Sequence, residues 1–121
     1  IIKGSMQDGK FISDDKIIVV KPSEKDSKAL ESYGGKEVYL GIRPERFESG
    51  GHLGDNFKCT VDVVEMLGKE KILYTRLENN HELIISVPGH YEYHEGEVHS
   101  FGYDIDALHF FDGKTNTRIN W

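Results

Sequence analysis

Four candidate metal ligands lie close together in the C-terminal third of the chain: His90, His94, Glu95 and His99. Imidazole nitrogens and carboxylate oxygens are common ligands of zinc and related transition metals. The spacing of His90 and His94 suits one face of a helix, but Gly96 and the flanking strand patterns disfavour a helix here. No cysteine accompanies them, so we expect ordinary surface histidines on a loop.

Other catalytic patterns find little support in the sequence. A phosphate-binding loop ending in Gly113-Lys114-Thr115 requires a glycine at position 108, where the chain has Leu108. Acidic residues are scattered over predicted turns, and no G-x-S-x-G elbow occurs. Cys59 lies in a strand pattern and is expected to be a small core residue. The sequence therefore offers no catalytic set.

Length, net charge and cysteine content limit the classes of protein to which the chain can belong. The chain has 121 residues, a length that suits one domain. Its formal net charge of −6 disfavours binding to nucleic acid or to an anionic membrane. A single cysteine excludes an internal disulfide and fits a reducing compartment. No apolar run approaches a transmembrane helix, and a chain that begins with Ile1 is expected to be a piece of a longer protein.

The residue pattern predicts an all-β chain with one short helix. The helix is expected over Ser23–Tyr33, with Ser23 as its N-cap, and a surface loop over Phe47–Asn56. Short strands at roughly ten-residue spacing predict a small antiparallel barrel or sandwich. The predicted strands after the entering segment are Lys10–Ser13, Lys16–Val20, Lys36–Arg43, Phe57–Leu67, Lys71–Leu77, Glu82–Val87, Glu97–Tyr103 and Ala107–Phe111.

The third of these strands ends in a distinctive way. Its apolar residues alternate and predict one buried face, and Gly41 leaves room for a strand bend or a close backbone. Pro44 ends the strand and holds Arg43 extended. Arg43 and Glu45 are thus left where a charged pair can bridge to a loop or a partner.

Aromatic residues are frequent in the C-terminal third. Their acidic neighbours make base stacking a poor interpretation, so core and subunit-interface packing is expected. These residues are Tyr91, Tyr93, Phe101, Tyr103, Phe110 and Phe111.

Three segments together resemble a known family. They are Gly-Lys-Glu-Val-Tyr-Leu-Gly-Ile-Arg-Pro-Glu at 35–45, Val-Asp-Val-Val-Glu-Met-Leu-Gly-Lys-Glu at 61–70, and His-Phe-Phe-Asp-Gly-Lys-Thr-Asn-Thr-Arg-Ile at 109–119. In this order they resemble the C-terminal regulatory region of ATP-binding subunits of sugar ABC importers, which carries a TOBE (transport-associated OB) domain. Phe110 replaces the usual Leu and Asn116 the usual Gly; Asn also adopts positive φ, so the turn is expected to survive.

The resemblance implies an OB-fold-like antiparallel β-barrel, with residues 1–121 forming a single regulatory domain excised from a longer chain. The nucleotide-binding domain would be absent, so the fragment would hold no cofactor, and ATP and Mg²⁺ would belong to the parent protein. No hydrolysis is expected from it. The residues implied to brace the barrel and shape the interdomain or dimer contact are Gly41, Arg43, Pro44, Glu45, Glu65, Leu67 and Gly68, with Phe111 and Asp112 as a second patch.

The partners implied are a second copy of the ATPase subunit and the nucleotide-binding domain of the same chain. Regulatory proteins could also dock, permease subunits would be reached only through the parent, and no nucleic acid is expected. The implied location is cytoplasmic, peripheral to the membrane.

Two alternatives remain open from the sequence. One is a small-ligand binder, since some TOBE domains bind oxyanions such as molybdate between paired subunits, and the turn at 113–117 could supply backbone N–H groups. The other is an oligonucleotide- or oligosaccharide-binding barrel, for which fold alone is weak support.

Overall fold

The computed structural model describes residues 1–49 and 57–121. It confirms an all-β fold of antiparallel sheets, and α1 (Glu24–Ala29) is the only α-helix in those residues. The chain divides into two compact units, one formed by Ile1–Ile42 with Asp104–Trp121 and the other by Arg43–Tyr103. The assignment of 1–121 to a single domain stays a prediction.

The first unit is built on one five-stranded antiparallel sheet. Its strands are β1 (Ile2–Gln7), β2 (Lys10–Ser13), β3 (Val19–Val20), β4 (Glu37–Ile42) and β10 (Leu108–Asp112). Their order in the sheet is β10-β4-β1-β2-β3. The predicted alternation in β4 is confirmed, because Val38 and Leu40 are fully buried while Tyr39 is half-buried on the opposite face. The buried side chains of the unit include Ile2, Met6, Phe11, Ile18, Val20, Leu30, Leu108 and Phe110.

The helix begins where the sequence predicts. The Ser23 side chain accepts a 3.2 Å hydrogen bond from the Asp26 N–H, which satisfies one of the free donors at the helix start. The α-helix ends at Ala29, and a separate 3₁₀ turn over Glu31–Tyr33 follows. The predicted span of 23–33 is therefore an α-helix and a tighter turn in succession.

The predicted strand Lys16–Val20 is shorter in the structure, where only Val19–Val20 pair with β2. Side chains hold a longer turn in its place: Ser13 Oγ accepts from the Ile18 N–H, and Asp15 Oδ1 accepts from the Ile17 N–H. Short polar side chains that bond nearby backbone groups compete with strand pairing in this way.

The second unit also contains one five-stranded antiparallel sheet. Its strands are β5 (Phe47–Ser49), β6 (Phe57–Leu67), β7 (Glu70–Arg76), β8 (Glu82–Pro88) and β9 (Val98–Tyr103). Their order in the sheet is β5-β9-β6-β7-β8. Strand β6 has the predicted bounds, and the first residues of the predicted loop Phe47–Asn56 form β5 instead. Residues 50–56 of that prediction lie outside the described residues.

Strand β6 carries a bulge that reverses its alternation. Val61 pairs with Thr75, and Val63 pairs with Tyr74, so that Asp62 is the extra residue. Val61 is fully buried, whereas Val63 is 47% exposed on the opposite face of the sheet. The bulge therefore turns an apolar side chain outward that an unbroken period of two would have placed inward.

Candidate functional site

Gly41 and Phe111 lie on neighbouring strands of the first unit. Gly41 pairs with His109, and a Cβ at Gly41 would lie 3.5 Å from Cε2 of Phe111, an ordinary van der Waals distance. The nearest neighbour is thus an aromatic ring rather than a close backbone. Of the two predicted roles of Gly41, the close backbone approach is not found, and the strand bend stays a prediction. Phe111 also lines a hollow of about 380 Å³ together with Ile1, Tyr39 and Asn116.

Asp112 organises the turn that follows β10. Its Oδ1 accepts hydrogen bonds from the N–H groups of Lys114 and Thr115 at 2.7 and 3.0 Å. Its backbone carbonyl accepts from the Asn116 N–H at 2.9 Å. Asn116 has φ +61°, which confirms the expectation that an asparagine can replace glycine at this left-handed position.

The backbone donors of this turn are all occupied within the protein. Besides the three that Asp112 receives, the Gly113 N–H donates to Glu37 O and the Thr117 N–H to Thr115 Oγ1. An oxyanion site of the kind suggested for residues 113–117 needs free, convergent N–H groups. The carboxylate of Asp112 already fills that role, so the turn has no such group to offer.

A second hydrogen bond connects Asp112 to the turn after α1. The Tyr33 hydroxyl donates to Asp112 Oδ2 at 2.8 Å. Hydrogen bonds from the Lys114 and Thr115 N–H groups, and then from Tyr33, hold the pKa of Asp112 below its ordinary value. The same bond to Asp112 raises the pKa of Tyr33.

These residues border a cleft of about 300 Å³ on the first unit, here called the Tyr33 cleft. It is lined by Ser32, Tyr33, Lys36, Glu37, Asp112 and Lys114. Lys36 Nζ lies 5.9 Å from the centre of the Tyr33 ring, within range of a cation–π contact. Glu37 pairs with Lys3 at 3.7 Å.

The predicted residues Arg43, Pro44 and Glu45 are exposed at the start of the second unit. Arg43 has the extended conformation expected before proline, and Pro44 begins a 3₁₀ turn, Pro44–Arg46, that packs against β8. Among the described residues, no ion pair joins Arg43 or Glu45 to another charged group. Both side chains thus reach solvent.

Glu65, Leu67 and Gly68 lie at the β6–β7 hairpin. Gly68 has φ +63° in the turn, a conformation that favours glycine. Leu67 and its neighbour Met66 are 54% and 60% exposed, so the end of the hairpin is apolar and open to solvent. In the sheet, β7 lies between β6 and β8. The Pro44 turn packs against β8.

An exposed apolar row crosses the outer face of the second sheet. Val63 pairs with Tyr74, and Tyr74 pairs with Ile84, so three large apolar side chains lie side by side on β6, β7 and β8. Tyr74 is 37% exposed and Ile84 49%. We call this set the outer-face row. The row could not be predicted from the sequence, because the bulge at Asp62 has no clear signal there.

The structure thus distributes the nine predicted site residues over both units. The first unit carries Gly41, Phe111 and Asp112; the second carries Arg43, Pro44, Glu45, Glu65, Leu67 and Gly68. Within the first unit, Gly41 adjoins Phe111, and Asp112 organises the turn that follows. Their functional role stays a prediction.

The histidine-rich segment is arranged around Glu97. One oxygen of Glu97 lies 3.0 Å from His99 Nε2 and accepts from the His94 N–H at 2.8 Å. These bonds, led by the one to His99, lower the pKa of Glu97. In the part of the chain that the structure describes, no group of His, Cys, Asp and Glu side chains is placed to hold a metal ion.

Most of the aromatic residues of the C-terminal third are buried, and Tyr91 is exposed. Tyr93, Phe101, Tyr103 and Phe110 are buried, as expected for core residues. Tyr91 is 46% exposed, and the centre of its ring lies 4.6 Å from that of His90.

Cys59 is buried, and burial raises the pKa of its thiol, which fits the expected core role. Within residues 1–49 and 57–121, no helix has the length and apolar character needed to cross a bilayer.

The described residues form an all-β fold with two antiparallel sheets, and comparison with known proteins identifies the family of the chain. The TOBE domain family matches residues 40–111. The ABC transporter ATP-binding protein YcjV of Escherichia coli is 32% identical over 120 residues, which cover 98% of this chain and 32% of that protein. This chain belongs to the TOBE domain family, and the resemblance seen in the sequence is confirmed.

Other relatives are import proteins by name. The oligosaccharides import ATP-binding protein MsmX of Bacillus subtilis is 27% identical over 122 residues, covering 97% of this chain and 33% of that protein. The sn-glycerol-3-phosphate import ATP-binding protein UgpC of Ruegeria pomeroyi is 36% identical over 85 residues, covering 68% and 23%. The chain spans about a third of the length of YcjV and MsmX.

Proposed function

We propose that this chain is the regulatory and dimerisation region of the ATP-binding subunit of a carbohydrate ABC importer. Membership of the TOBE family and the names of the relatives support the class of protein. The parent protein would hydrolyse ATP with Mg²⁺ in a domain that this chain does not include, and the region itself would hold no cofactor. Through the parent it would lie in the cytoplasm, at the membrane.

The observation that carries the contact role is the outer-face row of Val63, Tyr74 and Ile84. Exposed apolar side chains that adjoin one another on a sheet face are typical of protein-binding surfaces. Ile72, half-buried in the next row of the same face, extends the apolar surface along β7. The occupant we propose is the second copy of the ATPase subunit. Regulatory proteins are further candidate partners, and permease subunits would be reached only through the parent.

The residues predicted from the resemblance are proposed to support this contact. Leu67, four residues after Val63 and on the same face of β6, would extend the apolar surface, and Gly68 would keep the turn tight. Arg43 and Glu45, exposed and without an ion pair in the described part of the chain, are available for charge pairing across the contact.

The test is the association of the full-length subunit after Ile84→Glu, measured by sedimentation with and without ATP. A buried interfacial carboxylate without a partner is costly, so we expect association to weaken about tenfold or more. Gln7→Glu is the matched control, since it adds one negative charge at an exposed position of the first unit. Unchanged association of the Ile84→Glu protein, with its fold intact by circular dichroism, would contradict the proposed contact.

A second test addresses the predicted charged residues directly. Arg43→Ala and Glu65→Ala are introduced into the full-length subunit, and transport, coupling of ATP hydrolysis and stability are measured. If all three stay at the wild-type level, the assignment of these residues is wrong, whatever the result for Ile84.

A further inference from the structure

The charged groups of the Tyr33 cleft differ in how far they are already bonded within the protein. The lining of the cleft contains two lysines and two carboxylates. Asp112 accepts three hydrogen bonds from Tyr33, Lys114 and Thr115 within the protein. Glu37 is paired with Lys3. Oxygens of both carboxylates are therefore already bonded within the protein, although these bonds do not remove the negative charge of Asp112.

The two lysines of the cleft are free of such partners. Neither Lys36 nor Lys114 forms an ion pair with a carboxylate in the part of the chain that the structure describes. Lys36 lies near the Tyr33 ring, which leaves its three N–H donors available. The hydroxyl of Ser32 is a further donor at the same cleft. The free groups of the cleft are thus cationic or hydrogen-bond donors.

We propose that the Tyr33 cleft is a binding site for the phosphate group of a small metabolite, held by Lys36, Lys114 and Ser32. Lysine ammoniums bind phosphate as point charges, and a phosphate oxygen accepts from a hydroxyl. A volume of about 300 Å³ is at the lower end of the range for small-molecule sites, so it suits a phosphorylated monosaccharide or free phosphate. Unlike the oxyanion site considered for the 113–117 turn, this one uses side chains and no backbone N–H group.

Tyr33 is a positioning residue in this arrangement. Its hydroxyl fixes Asp112, and Asp112 in turn fixes the backbone of Lys114 through a 2.7 Å hydrogen bond. The backbone of Lys114 is therefore already fixed before a ligand binds. This reduces the conformational entropy lost on binding.

The first experiment is calorimetric titration of the protein with glucose 6-phosphate, orthophosphate and glucose at constant ionic strength. We expect both phosphate compounds to bind and glucose not to bind. Tighter binding of glucose 6-phosphate would identify a sugar phosphate as the occupant, and equal binding would identify free phosphate. The proposal would be overturned if neither orthophosphate nor glucose 6-phosphate binds at about 10 mM, a concentration well above a dissociation constant of about 1 mM.

The second experiment locates the site. Lys36→Gln and Lys114→Gln are each expected to weaken binding by up to about fivefold, as for solvent-exposed charge pairs, and the double variant by more. Lys10→Gln and Lys28→Gln, at exposed positions of the same unit, are matched controls that should bind like the wild type. Acetylation of surface lysines, read by mass spectrometry, should show protection of Lys36 and Lys114 by glucose 6-phosphate. Binding that the double variant leaves intact, or protection shared equally by Lys10 and Lys28, would overturn the proposal.

The outcome is independent of the dimer contact proposed above. The cleft lies in the first unit and the outer-face row in the second, and their variants change different residues. Loss of phosphate binding with normal subunit association would separate the two roles.

Discussion

The Tyr33 hydroxyl donates a 2.8 Å hydrogen bond to Oδ2 of Asp112, a residue 79 positions later in the chain. This single bond ties the turn after α1 to the turn after β10. Because Asp112 also caps its own turn through Oδ1, one carboxylate satisfies donors from three residues. Its charge state should therefore report on the integrity of both turns.

Tyr33→Phe should raise the pKa of Asp112 towards its ordinary value of 3.8 without restoring it fully. The two backbone N–H groups, which lower the pKa most, remain in the variant. Since the folded pKa of Asp112 is depressed, its stabilising effect is present above pH 3.8 and is lost as the pH falls through the folded pKa. Carboxyl carbon NMR of the wild type and the variant measures the two pKa values.

The same bond has a second signature at high pH. Because Asp112 raises the pKa of Tyr33, the bond stabilises the fold below pH 10 and is lost as the pH rises through the folded pKa of Tyr33. Asp112→Asn should return that pKa towards 10.0, as read by phenolate absorbance. Identical Tyr33 titrations in the wild type and Asp112→Asn would mean that the bond is not formed in solution.

Gly113→Ala should destabilise the protein because the new methyl group has no room. A Cβ at Gly113 would lie 2.5 Å from Glu37 O and 2.6 Å from Glu37 Cγ. Since the nearest atom belongs to the backbone, we expect a loss of about 1–3 kcal/mol in the free energy of unfolding, measured with urea. Gly34→Ala is the matched control, because no atom lies within 4 Å of its Cβ position and its φ is −54°. A Gly113→Ala protein as stable as the control would be inconsistent with this geometry.

Asn116 tests the left-handed position in the same turn. Asn116→Val should lower the free energy of unfolding by about 1–2 kcal/mol, because a β-branched residue is strained at φ +61°. Asn116→Gly should leave stability within about 0.5 kcal/mol, since glycine adopts this conformation freely but loses more backbone entropy on folding. Equal stability of the Val and Gly variants would show that the turn changes conformation.

Local features of the chain could be predicted from the sequence, and the reasons are local as well. The β-branched residues of β6 predicted its bounds correctly, Ser23 was correctly identified as the N-cap, and Asn116 was correctly expected to hold the turn. Each depends on a side chain and the backbone next to it. The spacing of the short strands predicted the all-β class, and the family resemblance then supplied the OB-fold-like barrel and the TOBE assignment.

The features that could not be predicted depend on contacts between distant segments, on register, or on side chains that compete with strand pairing. The Tyr33–Asp112 bond joins residues that no local pattern connects. The bulge at Asp62 moves Val63 to the exposed face, although alternation predicts the opposite. The strand predicted over Lys16–Val20 is shorter because Ser13 and Asp15 bond the backbone there. In the second and third cases, a register change or a side-chain hydrogen bond overrides the periodic pattern.

Ile84 and Ile85 provide a direct test of which face of β8 is buried. Ile85 is fully buried, so Ile85→Ala should lower the free energy of unfolding by about 2–5 kcal/mol through lost contacts and a cavity. Ile84, which is 49% exposed beside Tyr74, should cost less than about 1 kcal/mol when changed to alanine. Urea denaturation of the two variants measures both values with the same residue type, strand and substitution.

The contrast between these neighbours also separates stability from association. In the full-length subunit, Ile84→Ala should weaken self-association while thermal stability stays near that of the wild type, because the side chain contributes mainly to an external contact. Ile85→Ala should lower thermal stability first and affect association only through unfolding. If Ile84→Ala instead destabilises the protein as much as Ile85→Ala, the outer face of β8 is part of the folded core, and the outer-face row is not a free surface.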